Sequence, residues 1–306
     1  MFIADAHCDT LYAIAIENTS PRDCVVTRER MAAGGVGLQT FALFCGKHGP
    51  APAGTPYADA QAMLRVVEQT GVPILTGDLP DAPPKEPTGV FSCEGGEMLE
   101  GSLERFHEFQ RRLRMRMIAL TWNFENEIGH PAAEGPEGGL KPFGLELLMA
   151  MDAEGVLADV SHLNEAGFWD VMEHAALPPI ASHSDCRWLC DVPRNLRKEQ
   201  VRAIIERGGF IGVNFYAEFL REGGGATMDD AVRHVDALME LGGEDVVGFG
   251  SDFDGIESWP QGLGHPGEFE NLLDALRRRG YGEATLEKLA GLNLWNLLKR
   301  AEEARR

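Results

Sequence analysis

Residues Phe2–Leu11 read FIADAHCDTL. The first five are apolar apart from Asp5 and contain no glycine or proline, the pattern of a short strand covered on both faces, as in a parallel sheet. The residues just past that strand separate two parallel architectures. An open doubly wound sheet usually offers a glycine-rich phosphate loop after its first strand. Here the strand runs into His7-Cys8-Asp9. Ionisable residues directly after a strand are characteristic of the C-terminal mouth of a (β/α)8 barrel.

Counting Phe2–Ala6 as the first, seven more runs of this kind occur, at Val36–Phe44, Val90–Cys93, Met117–Thr121, Val156–Val160, Pro179–Ser182, Phe210–Asn214 and Val246–Gly250. Between them lie segments of helical spacing over Ala58–Thr70, Leu103–Leu113, Leu145–Ala153, Glu165–Ala175, Glu199–Arg207 and Met228–Leu241, several of which stop at glycine. Eight strand–helix units predict an α/β fold, a (β/α)8 TIM barrel, as one catalytic domain over residues 1–306. Ala284–Ala304 is expected to add one or two helices to the outer ring. Asp78–Thr88 and His130–Pro142, rich in proline and glycine, read as loops.

Charge works by exclusion. Lys and Arg total 28 against 48 Asp and Glu, a net charge of −20. Such a surface repels nucleic acid and anionic lipid, so neither is expected as a partner. No stretch approaches the ~20 apolar residues of a membrane span. The N-terminal run has no basic region before it and carries Asp5, His7 and Asp9 inside it, unlike a secretion signal. Six scattered cysteines without a CxxC pair suggest a reduced, cytoplasmic protein.

The residues after each strand carry the chemistry. Strand one leads to His7 and Asp9, strand three to Glu94-Gly95-Gly96, strand five to Asp159-Val160-Ser161-His162, strand six to Ser182-His183-Ser184 and strand eight to Ser251-Asp252-Phe253-Asp254-Gly255. Histidines and carboxylates from separate strands converge on one mouth. Mixed nitrogen and oxygen donors suit zinc, and a carboxylate can bridge two ions. Each fragment alone has a plainer reading: Glu94 as turn chemistry, Ser161 as a helix cap, Asp252 and Asp254 as turn residues. Their joint position at strand ends favours a metal site. His48, His107, His174, His234 and His265 fall outside these stretches; His107, His174 and His234, on helical segments, are expected at the surface.

Together, His7-Cys8-Asp9, FSCEGG at 91–96, LTWNFEN at 120–126, DVSH at 159–162, SHS at 182–184, Arg194-Asn195, VNFY at 213–216 and GSDFDG at 250–255 resemble the membrane (renal) dipeptidase family, in family order and over nearly the whole chain. The resemblance implies a barrel of the metal-dependent hydrolase type holding two zinc ions. His7 and Asp9 would hold one, His162 and His183 the other, and Glu94 would bridge them. A hydroxide between the ions would attack the peptide bond of a dipeptide, with a D-residue tolerated on the C-terminal side. It further implies Asp252 as the acid/base residue, Arg194 as the partner of the substrate carboxylate, and a homodimer. Tyr216 and Asn214 are expected to line the pocket. One position departs from the family: Trp122 stands where a histidine that contacts substrate often stands, which makes Trp122 a substrate-facing residue of altered chemistry. Asn123, Asn126 and His130 are alternative donors. This departure favours another reading, a metal-dependent hydrolase of another amide, ester or β-lactam bond; a silent relative that only binds is a separate alternative, against which the full set of matched ligands and Asp252 argues.

Overall fold

The computed structural model describes residues 1–46, 49 and 52–305; His48 lies outside them. Eight parallel strands, β1 Ile3–Cys8, β2 Val36–Phe44, β3 Thr88–Glu94, β4 Met117–Ala119, β5 Leu157–Asp159, β6 Ile180–Ala181, β7 Phe210–Val213 and β8 Val247–Phe249, form a closed barrel in sequence order. Pairing of Asp5 with Phe249 closes the ring. The α-helices among the described residues are α1 Thr10–Ala15, α2 Arg28–Gly34, α3 Thr55–Val66, α4 Leu103–Leu113, α5 Pro142–Glu154, α6 Glu165–His174, α7 Lys198–Glu206, α8 Ala217–Leu220, α9 Met228–Met239, α10 Phe269–Arg279, α11 Glu283–Glu287 and α12 Asn293–Glu303. The chain is thus a (β/α)8 barrel, as the alternation of strand and helix predicts.

Every strand residue except Thr88 is buried, so the apolar runs report strands covered on both faces. β2 and α4 have the expected bounds. β6 shrinks to two residues because Ser182 is diverted: its N–H and hydroxyl both donate to the Asp159 carboxylate. Four helices, α1, α2, α8 and α10, are not expected from apolar spacing. Two of them nevertheless carry end signals. Thr27 caps α2 by accepting the Arg30 N–H, and Gly35 and Gly280 end α2 and α10 with φ of 73° and 109°.

Two expectations are corrected. The C-terminal helix does not join the outer ring. Leu294, Trp295 and Leu298 of α12 pack with Ala4, Leu38, Val90, Met117, Leu157, Ile180 and Phe210, one residue from each of seven strands. Trp295 meets Phe2 edge-on at 6.1 Å, Arg300 donates to the Gly208 carbonyl, and Glu302 accepts from Arg116 at 2.8 Å. Phe2, Arg116 and Gly208 all lie just before strands, so α12 floors the N-terminal end of the barrel and leaves the other end open.

His234 is also not at the surface. It is 1% exposed, accepts the Cys186 N–H at Nδ1 (3.0 Å) and reaches the Leu220 carbonyl from Nε2 (3.0 Å). It ties α9 to the loop after β6 and to α8, and its two ring nitrogens are both satisfied, which is what burial of an imidazole requires. His107 and His174 lie at the surface as expected. Among the described residues no helix is long and apolar enough to cross a membrane. The six cysteines are free, and all but Cys45 are buried.

Candidate active site

The open end gathers the residues singled out by sequence. His7 sits near the end of β1 and Asp9 at the N-cap of α1; Glu94 is the last residue of β3. His162, His183 and Asp252 lie a few residues beyond β5, β6 and β8. His162 and Asp252 adopt left-handed backbone conformations, φ 68° and 63°. For non-glycine residues this costs on the order of 1–3 kcal/mol each and persists only where neighbours enforce it. Here the His162 carbonyl accepts from Ala132 N–H at 2.7 Å, and Asp252 N–H donates to the His7 carbonyl at 3.2 Å. Gly255 is a steric necessity: a Cβ there would lie 2.2 Å from Asp9 Oδ2 and 2.7 Å from Asp252 Oδ1.

Glu94 stands between two groups of donors. Its Oε1 lies 3.0 Å from His162 Nε2 and 3.5 Å from His183 Nε2, and those two nitrogens are 3.0 Å apart. Its Oε2 lies 3.6 Å from His7 Nε2, which is 3.5 Å from Asp9 Oδ2 and 3.9 Å from Asp252 Oδ1. Ligands 2.0–2.1 Å from a tetrahedral zinc ion are spaced about 3.3 Å apart, close to these separations. His7 Nε2 and Asp9 Oδ1 are buried without hydrogen-bond partners. Buried polar atoms are rarely left so unless something else satisfies them. The donor set therefore fits a bound metal cation.

The charges agree. Burial, with Asp9 and Asp252 nearby, pushes the Glu94 carboxyl up to about 8. Burial alone would lower His7, but Glu94 and Asp9 outweigh it and hold it well above its ordinary value. Burial, then neighbouring cationic groups, holds His162 and His183 well below theirs, so both are neutral imidazoles with a lone pair to give.

Outer partners fix which lone pair. His183 Nδ1 lies 2.8 Å from Ser182 Oγ, which donates to Asp159. His162 Nδ1 lies 2.9 Å from Asn123 Oδ1. If Nδ1 of each ring carries the proton, Nε2 faces Glu94 as a free donor, the usual arrangement behind a metal-binding histidine. Under β1, Asp5 accepts from Gln39 Nε2 (3.0 Å) and Ser251 N–H (2.8 Å), stitching β1 to β2 and β8 directly beneath His7.

Asp252 is held by Asn214 Nδ2, which donates to Oδ2 at 2.9 Å and leaves Oδ1 on the His7 side. Burial pushes its carboxyl up to about 6, a useful value for a proton carrier near neutrality. Asp254 is engaged otherwise: it accepts from Thr10 Oγ1 (2.6 Å), Val25 N–H (2.6 Å) and Val26 N–H (3.1 Å), which is loop anchoring.

A chamber of about 430 Å³ opens over the cluster, lined among others by Asp9, Glu94, Trp122, Arg194, Tyr216 and Asp252. Arg194 donates weakly to the His183 carbonyl (3.4 Å), lies 5.5 Å from the Phe219 ring, and has a buried Nε without a partner. Asn214 supports from beneath: besides holding Asp252 it accepts the Tyr216 N–H at 2.6 Å. Of the alternative donors, Asn126 is spent, its amide nitrogen on Glu97 and the Leu120 carbonyl and its oxygen on Ile128 and Gly129 N–H. His130 is turned toward Glu125 at 3.8 Å. Tyr12, Phe44 and Phe219 also line the chamber and are not singled out by sequence. Phe44, as the last residue of β2, obeys the same strand-end rule as the ligands.

A family model described as membrane dipeptidase (peptidase family M19) matches residues 1–306. A Klebsiella pneumoniae protein described as "Uncharacterized protein in pqqA 5'region" is 40% identical over 60% of this chain and 72% of its own length. An uncharacterized dipeptidase of Schizosaccharomyces pombe is 32% identical over 70% of this chain, which spans only 53% of that relative. Among solved structures, a metallopeptidase called dipeptidase AC superposes with a TM-score of 0.88 at 27% identity, covering 98% of both chains. A Rhodobacter sphaeroides metallopeptidase, liganded with a phosphinate mimic of L-Ala-D-Ala, does so with a TM-score of 0.85 at 26% identity, covering 98% of this chain and 99% of that one.

Proposed function

Because the chain belongs to the membrane dipeptidase family, we propose that this metallo-dipeptidase is binuclear and zinc-dependent, and that it hydrolyses free dipeptides, including those with a D-residue at the C-terminal position. The observation that carries the reading is Glu94, with one oxygen toward His162 and His183 and the other toward His7, which neighbours Asp9. His7, Asp9 and Glu94 would hold one ion, and Glu94, His162 and His183 the second. Such ions supply Lewis acidity and lower the pKa of bound water toward 7, making a nucleophile available at neutral pH.

The chain's own residues do the rest. Arg194 binds the substrate's terminal carboxylate; a planar guanidinium suits it, and its unpartnered Nε offers a donor. This contact restricts cleavage to short substrates with a free C-terminus. Asn214 holds Asp252 so that Oδ1 faces the reacting atoms. Asp252 takes a proton from the attacking water at Oδ1 and returns it to the leaving amine nitrogen as the C–N bond breaks. A homodimer in a reducing compartment accords with the family resemblance and the free cysteines.

Trp122 favours a second reading, a hydrolase of another amide, ester or β-lactam bond, since an indole cannot replace an imidazole as a proton carrier. Zinc content per chain, measured beside a dipeptide panel with and without chelator, decides between them. Two zinc ions with chelator-sensitive dipeptide cleavage support the proposal; two zinc ions without dipeptide cleavage move it to the other bond types.

A further inference from the structure

The chamber has two unlike ends. In a ring of eight strands in sequence order, β2 lies across from β6. Arg194 comes from the segment after β6, beside the Phe219 ring. On the far side the wall is aromatic: the Tyr12 and Phe44 rings are 4.9 Å apart, and Phe44 is 4.9 Å from Trp122. Ile256 also lines the chamber. Tyr12 and Phe44 are packed from behind, 5% and 6% exposed, which fixes the wall, while Trp122 is only half-buried and offers its surface to the chamber.

A dipeptide with its carboxylate on Arg194 and its peptide bond over the ligand cluster must extend its N-terminal residue toward that wall. We propose that the Tyr12–Phe44–Trp122 wall is the subsite for the N-terminal side chain, and that it selects dipeptides whose N-terminal residue is large and aromatic or apolar. Aromatic rings prefer tilted contacts at centroid separations of about 4.5–7 Å, and a substrate ring would extend the tilted series already present from Tyr12 to Trp122. Glu17 and Glu257, exposed at the chamber mouth, set a negative rim that suits the ammonium of the same residue. The inference rests on the dipeptidase reading and on Arg194 as the carboxylate partner.

The test compares kcat/KM for Gly-Ala, Ala-Ala, Leu-Ala and Phe-Ala on the zinc-loaded enzyme. The series should rise, with Phe-Ala above Ala-Ala by about tenfold to a hundredfold, the effect of burying a phenyl group. Trp122→Ala should lower the Phe-Ala to Ala-Ala ratio by about tenfold and Trp122→Phe should recover most of it, with zinc content checking that each variant is folded and loaded. A flat or falling series in the unmodified enzyme, or an unchanged ratio in Trp122→Ala, overturns the subsite. Failure to cleave any of the four overturns the dipeptidase reading beneath it.

Discussion

Replacing Glu94 by alanine tests the two-sided geometry most directly. Each proposed ion has three protein ligands, and Glu94 is shared by both. Structural zinc sites bind with about 10–16 kcal/mol over four ligands, or about 3 kcal/mol per ligand, so loss of one ligand should weaken each ion about a hundredfold. Zinc retained per chain at buffered free zinc, read by elemental analysis and by competition with a chromophoric chelator, should therefore drop at both sites together. Glu94→Gln keeps one acceptor oxygen and should weaken one ion more than the other. The metal-free protein should respond in the opposite direction. Burial, together with Asp9 and Asp252, raises the Glu94 carboxyl from 4.5 to about 8. An acid whose folded pKa is raised destabilises the fold above its unfolded pKa, so this cost is absent below pH 4.5 and grows as pH climbs toward 8. At pH 7 it amounts to about 3 kcal/mol. Metal-free Glu94→Ala should then be more resistant to urea at pH 7 than the metal-free parent, and the gain should vanish near pH 4. An alanine variant with unchanged zinc content at both sites would falsify the bridging role.

Arg194→Ala should raise KM for free dipeptides far more than for dipeptide amides, which lack the carboxylate; equal effects on both substrates remove Arg194 from that role. Asp252, raised by burial to about 6, should give kcat/KM an acid limb at or below pH 6, since nearby cations lower it further; activity is lost as pH falls through that value, and Asp252→Asn should abolish the limb along with at least a hundredfold of the rate. Asn123→Leu should weaken the ion at His162 and His183 by about tenfold to a hundredfold while sparing its neighbour, with Asn123→Asp recovering the binding; equal zinc affinity in all three proteins contradicts the Asn123–His162 contact. Glu302→Ala leaves the buried Arg116 guanidinium without its carboxylate partner, with only the Gly77 carbonyl remaining, and should cost about 3 kcal/mol in urea unfolding, whereas a change under 1 kcal/mol would mean the pair contributes little.

The parts of this molecule legible in sequence share a physical cause. Parallel strands covered on both faces are mostly apolar along their length, so β2 could be bounded correctly despite Gln39 and Thr40, and residues just past such strands must be those of the barrel mouth, which located His7, Glu94, His183 and Asp252. The rest depends on contacts between distant segments. The left-handed backbone at His162 and Asp252 is enforced by Ala132 and His7, and no local propensity announces it. His234 lies on a helix covered on nearly all sides, with Asp230, Ala231, Val232, Val235, Ala237 and Leu238 buried as well, so the assumption of one exposed polar face fails. Asn123 is legible as a candidate donor to substrate; only the fold shows its oxygen beside His162. α12 has the amphipathic pattern of an outer helix, and nothing in that pattern says which apolar surface it will cover.

That last helix bears on how the protein is made. The floor of the barrel is built from residues 293–303, packed beneath strands that begin at residue 3. Until the ribosome has delivered that segment, the lower layer of the barrel, with Leu38, Val90, Met117 and Phe210, has no cover. The nascent chain therefore carries an open apolar end until those residues emerge, and contacts of such long sequence separation form late. Closure waits for residues 293–303, and a chain cut before Asn293 would display to chaperones and proteases the surface that α12 hides.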